Sequence, residues 1–220
     1  MFISLEGPDG SGKTTQIPLL AEYLRQLGYD VLTTREPGGT IIGDQVREIL
    51  SNTANTTMKP RTELLLFQAS RAQLVDEVIR PHLAKGGVVL SDRYADSTLA
   101  YQGYGHGISL SNLQPVVFFA TGGLKPDLTL FLDVEVEEGL RRRSKGGGWN
   151  RLDAYELEFH KRTYSGYKHL INMEPERWVV IDGRQPVTRV QTELQQAVMD
   201  RLKKHTPDID NNSNVMNWGA

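Results

Sequence analysis

Short apolar runs alternate along this chain with longer stretches of helical period. Residues 2–5, 31–34, 88–91, 128–132 and 178–181 are brief, apolar and bounded by polar residues, as buried strands are. Between them Leu20, Tyr23, Leu24 and Leu27 recur at helical spacing, as do Val187, Val190, Leu194 and Val198 near the end. This alternation predicts an α/β fold, a doubly wound five-stranded parallel sheet with helices on both faces. Ligands of such sheets bind beyond the carboxyl ends of the strands, so the residues after each run are the ones to read for chemistry. Two segments break the pattern: 51–59 is rich in Asn and Thr, and 145–150 contains Gly146, Gly147 and Gly148 in succession, as a mobile flap would. Residues 206–220 are polar and aperiodic and read as a tail, which leaves 1–205 as one domain with a lid at about 142–151.

Composition narrows the possible partners. With 220 residues, 39% hydrophobic, 24% charged and a formal charge of −2, the chain can bury one sizeable core and has no general attraction for nucleic acid or an anionic membrane. Any anion site must be local. The absence of cysteine excludes disulfides and thiol catalysis and fits a reducing, cytoplasmic compartment. No apolar run approaches the ~20 residues of a membrane span, and the first run has no basic flank, so neither anchor nor signal peptide is expected.

The local anion site is explicit. Gly7-Pro8-Asp9-Gly10-Ser11-Gly12-Lys13-Thr14 fits G-x-x-x-x-G-K-[ST], lies between the first strand run and the first helical stretch, and is followed by Thr15. Glycines let backbone N–H groups turn inward, the helix N-terminus adds partial positive charge and Lys13 a full one, an assembly suited to the polyphosphate of ATP. The Thr14 hydroxyl is a hard oxygen of the kind Mg2+ prefers. Pro18, early in the same helix, removes a hydrogen bond to the Thr14 carbonyl and predicts a kink or a widened turn. The run 88–91 ends in Asp92-Arg93-Tyr94, where Asp92 occupies the place of a Walker B aspartate reaching the Mg2+ shell and Arg93 offers a planar fork for a phosphate. An ordinary strand-end ion pair would carry the same dipeptide.

Further motifs separate these readings. Thr34-Arg35-Glu36-Pro37-Gly38-Gly39-Thr40, Phe67-Gln68-Ala69-Ser70-Arg71, Ala100-Tyr101-Gln102-Gly103, Lys125-Pro126-Asp127 and Asn150-Arg151-Leu152-Asp153 stand in order around the glycine-rich loop and Asp92-Arg93-Tyr94. Together they resemble bacterial-type thymidylate kinase from Phe2 to about Leu202. The resemblance implies transfer of the γ-phosphoryl group of ATP to dTMP with Mg2+, small-molecule substrates only, and a homodimer. It implies that Phe67 stacks on thymine, Arg71 binds its edge, Thr98 and Gln102 meet its polar groups, and Tyr101 disfavours a 2′-hydroxyl. It further implies that Asp9 approaches the acceptor sugar and that Glu36, Arg47 and Arg93 surround the acceptor phosphate. Core packing for Phe67, and surface ion pairing for Glu36 and Arg47, are the structural alternatives. Because Gly10 replaces an arginine found in the loop of some members, the resemblance is to the type with lid-borne arginine, and Arg143 and Arg151 join Lys13 and Arg93 as candidate catalytic cations. Two other functions compete. Another deoxynucleoside monophosphate kinase would share the phosphate machinery, whereas a GTPase-like switch would need an Asn-Lys-x-Asp segment that is absent.

Overall fold

The computed structural model describes residues 1–146 and 150–205. Five strands, β1 (Phe2–Glu6), β2 (Val31–Arg35), β3 (Val88–Asp92), β4 (Leu128–Asp133) and β5 (Trp178–Asp182), form one parallel sheet in the order β2-β3-β1-β4-β5. Each strand extends one residue beyond the apolar run, and each added residue is charged: Glu6, Arg35, Asp92, Asp133 and Asp182. The apolar pattern stops where the side chain becomes polar, but ladder pairing continues, with Arg35 opposite Asp92 and Asp133 opposite Asp182. The carboxyl edge of the sheet is therefore lined with charge.

Helix α1 (Lys13–Gln26) buries Ile17, Leu20, Ala21 and Leu24 against one face of the sheet, beside Val190, Leu194 and Val198 of α9 (Val187–His205). Each fully buried aliphatic side chain contributes about 1.5–3 kcal/mol. The other face is covered in two patches, one around Phe131, Tyr167 and Trp178, the other around Phe2, Leu74, Ile79 and Tyr94. Helix α1 stays α-helical through the exposed Pro18, so the widened turn does not form.

The helices between strands carry the remaining candidates: α2 (Ile41–Ser51), α3 (Pro60–Leu74), α4 (Arg80–Ala84), α5 (Ala95–Thr98), α6 (Leu110–Thr121), α7 (Val136–Lys145) and α8 (Leu157–Met173). Two π-helical segments, Val75–Ile79 and Leu99–Gly105, have no signature in the apolar spacing. The second continues α5 and carries Tyr101 and Gln102, so Thr98 and Gln102 are separated by part of a wide π turn rather than one α turn. Gly147, Gly148 and Trp149 of the expected flap, and the tail 206–220, lie outside the described residues. No helix among the described residues is long and apolar enough to cross a membrane.

Candidate active site

A cleft of about 790 Å³ opens at the charged edge of the sheet. The glycine-rich loop forms its floor, Glu36, Arg47, Phe67, Thr98 and Gln102 lie on the side of β2, and Gly183 and Gln185, following β5, lie on the other. Arg142 and Arg143 of α7, and Asn150, also line it.

The floor is built by backbone that glycine permits. Gly10 has φ of 77°, and a β-carbon there would overlap the carbonyl oxygen of Gly139 in α7. A β-carbon on Gly139 would in turn stand 2.5 Å from the Asp9 carbonyl oxygen. The first turn of α7 thus rests directly on the loop. Lys13 donates to the carbonyl oxygens of Gly7 and Pro8, both at 3.0 Å, which holds its ammonium under the loop. Burial and the nearby Arg93 push the Lys13 amine down to about 8, against the pull of Asp92, Asp9 and Glu6. The Thr14 hydroxyl donates to Asp92 Oδ2 at 3.4 Å, bringing together the two oxygens expected around Mg2+.

Arg93 follows β3 with φ of 71°, a left-handed turn that directs its side chain back over the loop. Its guanidinium donates to Asp9 Oδ1 at 2.7 Å, to the hydroxyl oxygens of Tyr101 and Tyr167 at 3.0 and 3.1 Å, and to Ser97 Oγ at 3.1 Å. Tyr101 also donates to Asp9 Oδ2 at 2.9 Å. Burial would raise the Asp9 carboxyl, yet Arg93 and Lys13 hold it well below the usual range. Beneath this layer Glu6 accepts from the Tyr94 backbone, Ser97 and Tyr167, and burial pushes it up to about 7 despite the attraction of Arg93.

The β2 side is organised by a buried ion pair. Arg71, 1% exposed, donates through Nε and Nη2 to Glu36, through Nη2 to the Tyr94 carbonyl, and through Nη1 to Gln68 Oε1 and Thr98 Oγ1. Arg71 reaches the cleft wall with all of its N–H groups engaged by protein acceptors. Burial raises Glu36 against the pull of Arg71, and Glu36 Oε1 is buried without a partner among the described residues. Phe67 is half-buried on the same wall, and Arg47 lines it while donating to the Pro37 carbonyl at 2.9 Å.

The two arginines expected on a lid, Arg143 and Arg151, are placed differently. Arg143 lines the cleft and pairs with Asp153 at 3.0 Å. Arg151 is 8% exposed and is absent from the cleft lining; it donates to the Leu50 carbonyl at 2.8 Å, to Tyr155 at 2.8 Å and to Glu63 at 2.6 Å. Glu63 also accepts from Gln102 at 2.9 Å and Tyr155 at 2.6 Å and bonds His106 at 3.0 Å. Sequence reasoning misses Glu63, although it stands four residues before Phe67 and eight before Arg71 on one face of α3, directly ahead of the apolar run 64–67. That spacing, one carboxylate sharing a helix face with Phe67 and Arg71, was the available signal. Ser97 and Tyr167 are missed likewise, and Asp153 is named only as part of a motif, without a role.

Comparisons with known proteins give the family. A family model described as thymidylate kinase matches residues 5–194. Thymidylate kinase of Roseiflexus castenholzii is 52% identical over 96% of this chain and 97% of its own length, and that of Deinococcus radiodurans is 47% identical over 91% and 97%. A crystal structure of thymidylate kinase from Ehrlichia chaffeensis superposes with a TM-score of 0.75 at 34% identity, covering 90% of this chain and 98% of the other. The loop, the two-sided cleft and these matches together place the chain in the thymidylate kinase family.

Proposed function

We propose that this chain transfers the γ-phosphoryl group of ATP to the 5′-phosphate of dTMP, giving dTDP and ADP. The observation that carries this reading is the continuity of one cleft from the phosphate-binding loop to the wall of Phe67, Thr98 and Gln102. The transferred group leaves its bridging oxygen to ADP and bonds to an oxygen of the acceptor phosphate. A phosphate monoester has a second pKa of about 6, so the acceptor is largely a dianion at neutral pH and needs no general base. What the cleft must supply is alignment and positive charge.

Lys13 is positioned for the donor phosphates, Arg93 for the acceptor phosphate, and Arg143 for the group passing between them. The backbone of 7–15 would cradle the donor, with Arg47 and Glu36 bordering the acceptor phosphate and Phe67 stacking on the base. Tyr101, held by Asp9 and Arg93, would set its ring against a ribose 2′-hydroxyl. Thr14 Oγ1 and Asp92 Oδ2 are hard oxygens 3.4 Å apart, a donor set that fits Mg2+ bound largely through water. When bound, Mg2+ would neutralise charge on the bridged phosphate oxygens. A coupled ADP-release assay across dTMP, dUMP, dCMP, dGMP and AMP tests the reading; preference for a base other than thymine would overturn it.

Placement also separates the lid arginines. Arg143→Ala is expected to slow single-turnover transfer by about a hundredfold, as loss of one charge-stabilising donor does, while Arg151→Ala changes that step less than about tenfold in protein that remains folded. Equal rate losses in the two variants would return Arg151 to the chemistry.

The proposal includes one domain over 1–205, a lid near 142–151, a cytoplasmic location consistent with the cysteine-free composition, and a homodimer. For the dimer, Phe118 and Phe119 of α6 are 68% and 88% exposed and Leu65 of the adjoining α3 is 53% exposed, an apolar face suited to a second copy. Phe119→Glu should convert the dimer to monomer in sedimentation velocity. An unaltered chain that sediments as a monomer would remove the dimer.

A further inference from the structure

Glu63 does not line the cleft, yet it touches a residue that does. We propose that Glu63 is a positioning residue for base selectivity, holding Gln102 Nε2 so that Gln102 Oε1 faces the cleft as a fixed acceptor for a base N3–H. This rests on the reading of the Phe67, Thr98 and Gln102 wall as the base site. The Gln102 amide donates to Glu63 Oε1 at 2.9 Å, and its own Oε1 has no hydrogen-bond partner among the described residues. Turning the amide over would set two acceptors against each other in a buried place, where an unmatched polar group is costly.

Glu63 is reliably an acceptor. Burial works to protonate it, but hydrogen bonds with His106, Tyr155, Arg151 and Gln102 bring its carboxyl down to about 2. The other end of the wall has the opposite polarity. Arg71, which can only donate, gives one N–H to Gln68 Oε1 and so turns Gln68 Nε2 toward Thr98. Thr98 Oγ1 therefore accepts from both Gln68 at 3.1 Å and Arg71 at 2.8 Å, which occupies its lone pairs and leaves its own proton to be given away. The wall thus presents a hydroxyl donor at Thr98 and a carbonyl acceptor at Gln102.

That order complements the edge of thymine or uracil, where O4 accepts and N3–H donates. It opposes cytosine, where the 4-amino group donates and N3 accepts. The selectivity set at Gln102 comes from the Glu63 carboxylate, and that at Thr98 from the Arg71 guanidinium.

The test measures kcat/KM for dTMP, dUMP and dCMP in the unaltered protein, in Glu63→Gln and in Arg151→Met. Glutamine at 63 can present either end of its amide and releases Gln102 to turn, so the dTMP-to-dCMP ratio should fall at least about tenfold, as expected when a fixed hydrogen-bond pattern is lost. The dTMP-to-dUMP ratio should stay within about twofold, because both bases present the same edge. Arg151→Met breaks the same lid contact but leaves the carboxylate on Gln102, so both ratios should hold even if total activity drops. A Glu63→Gln variant with an unchanged dTMP-to-dCMP ratio, or an equal fall of that ratio in Arg151→Met, overturns the proposal. If Glu63→Gln does not fold, the imino proton of 15N-labelled dTMP bound to the unaltered protein decides. Protection from exchange with water supports an acceptor at Gln102, and exchange at the rate of free dTMP overturns it. Failure of the unaltered protein to phosphorylate dTMP would instead remove the proposed function.

Discussion

Lys13→Ala is expected to lower kcat by about a thousandfold while leaving the affinity for dTMP within a few-fold. The Lys13 ammonium is held by the Gly7 and Pro8 carbonyls rather than by a carboxylate, so no counter-ion must be displaced before it meets the donor phosphates. Loss of this pre-placed charge acts on the donor half of the cleft, remote from Phe67 and Gln102 across the sheet. The reaction is also expected to carry a pH signature. With its pKa near 8 in the free protein, Lys13 is protonated below that pH and neutral above it, so ATP affinity should decline as pH rises through 8. Titration calorimetry from pH 6.5 to 9.5 measures this, and Lys13→Ala should flatten the profile. An equally steep decline in the variant would assign the titration to another group.

Arg93→Met is expected to cost about 3–5 kcal/mol of stability in addition to nearly all activity, the scale for removing one partner of a buried charge cluster. Arg93 bonds Asp9 directly and lies 4.0 Å from Glu6, which is fully buried. Without the guanidinium these carboxyls would hold protons in the folded state that the unfolded chain releases. The sign follows from proton linkage: the folded state binds more protons, so stability falls as pH rises. In the unaltered protein Glu6 already behaves this way, its contribution being fully present below about 4.5 and declining as pH climbs through about 7. Urea unfolding at pH 5 and pH 8 should therefore show a larger deficit for Arg93→Met at the higher pH. A deficit independent of pH would mean that Arg93 does not control these carboxyls.

The fold was legible because its central strands are buried on both faces, and 128–132 and 88–91 announce themselves by composition alone. What composition hid was the last residue of every strand, since Glu6 and Asp92 pair in the ladder while their side chains serve the cleft. The loop from Gly7 to Thr14 was legible because its chemistry is local in sequence. Arg151 illustrates the opposite case: a cation beside a glycine-rich flap suggests a mobile finger, and only long-range packing against Leu50 and Glu63 makes it an anchor. The π-helical Leu99–Gly105 was invisible for a similar reason, because an extra residue in a turn leaves the apolar spacing nearly unchanged.

The contact between Gly10 and Gly139 limits how this protein could change by mutation. Moving the arginine from lid to loop would require more than a codon change at position 10, since any side chain there meets the backbone of α7. Helix α7 would first have to shift, and Arg143 would shift with it. An arginine arriving first would disturb the loop, and a displaced helix arriving first would draw Arg143 from the cleft lining. A side chain at position 10 and the present seat of α7 thus exclude each other, and neither could change without the other.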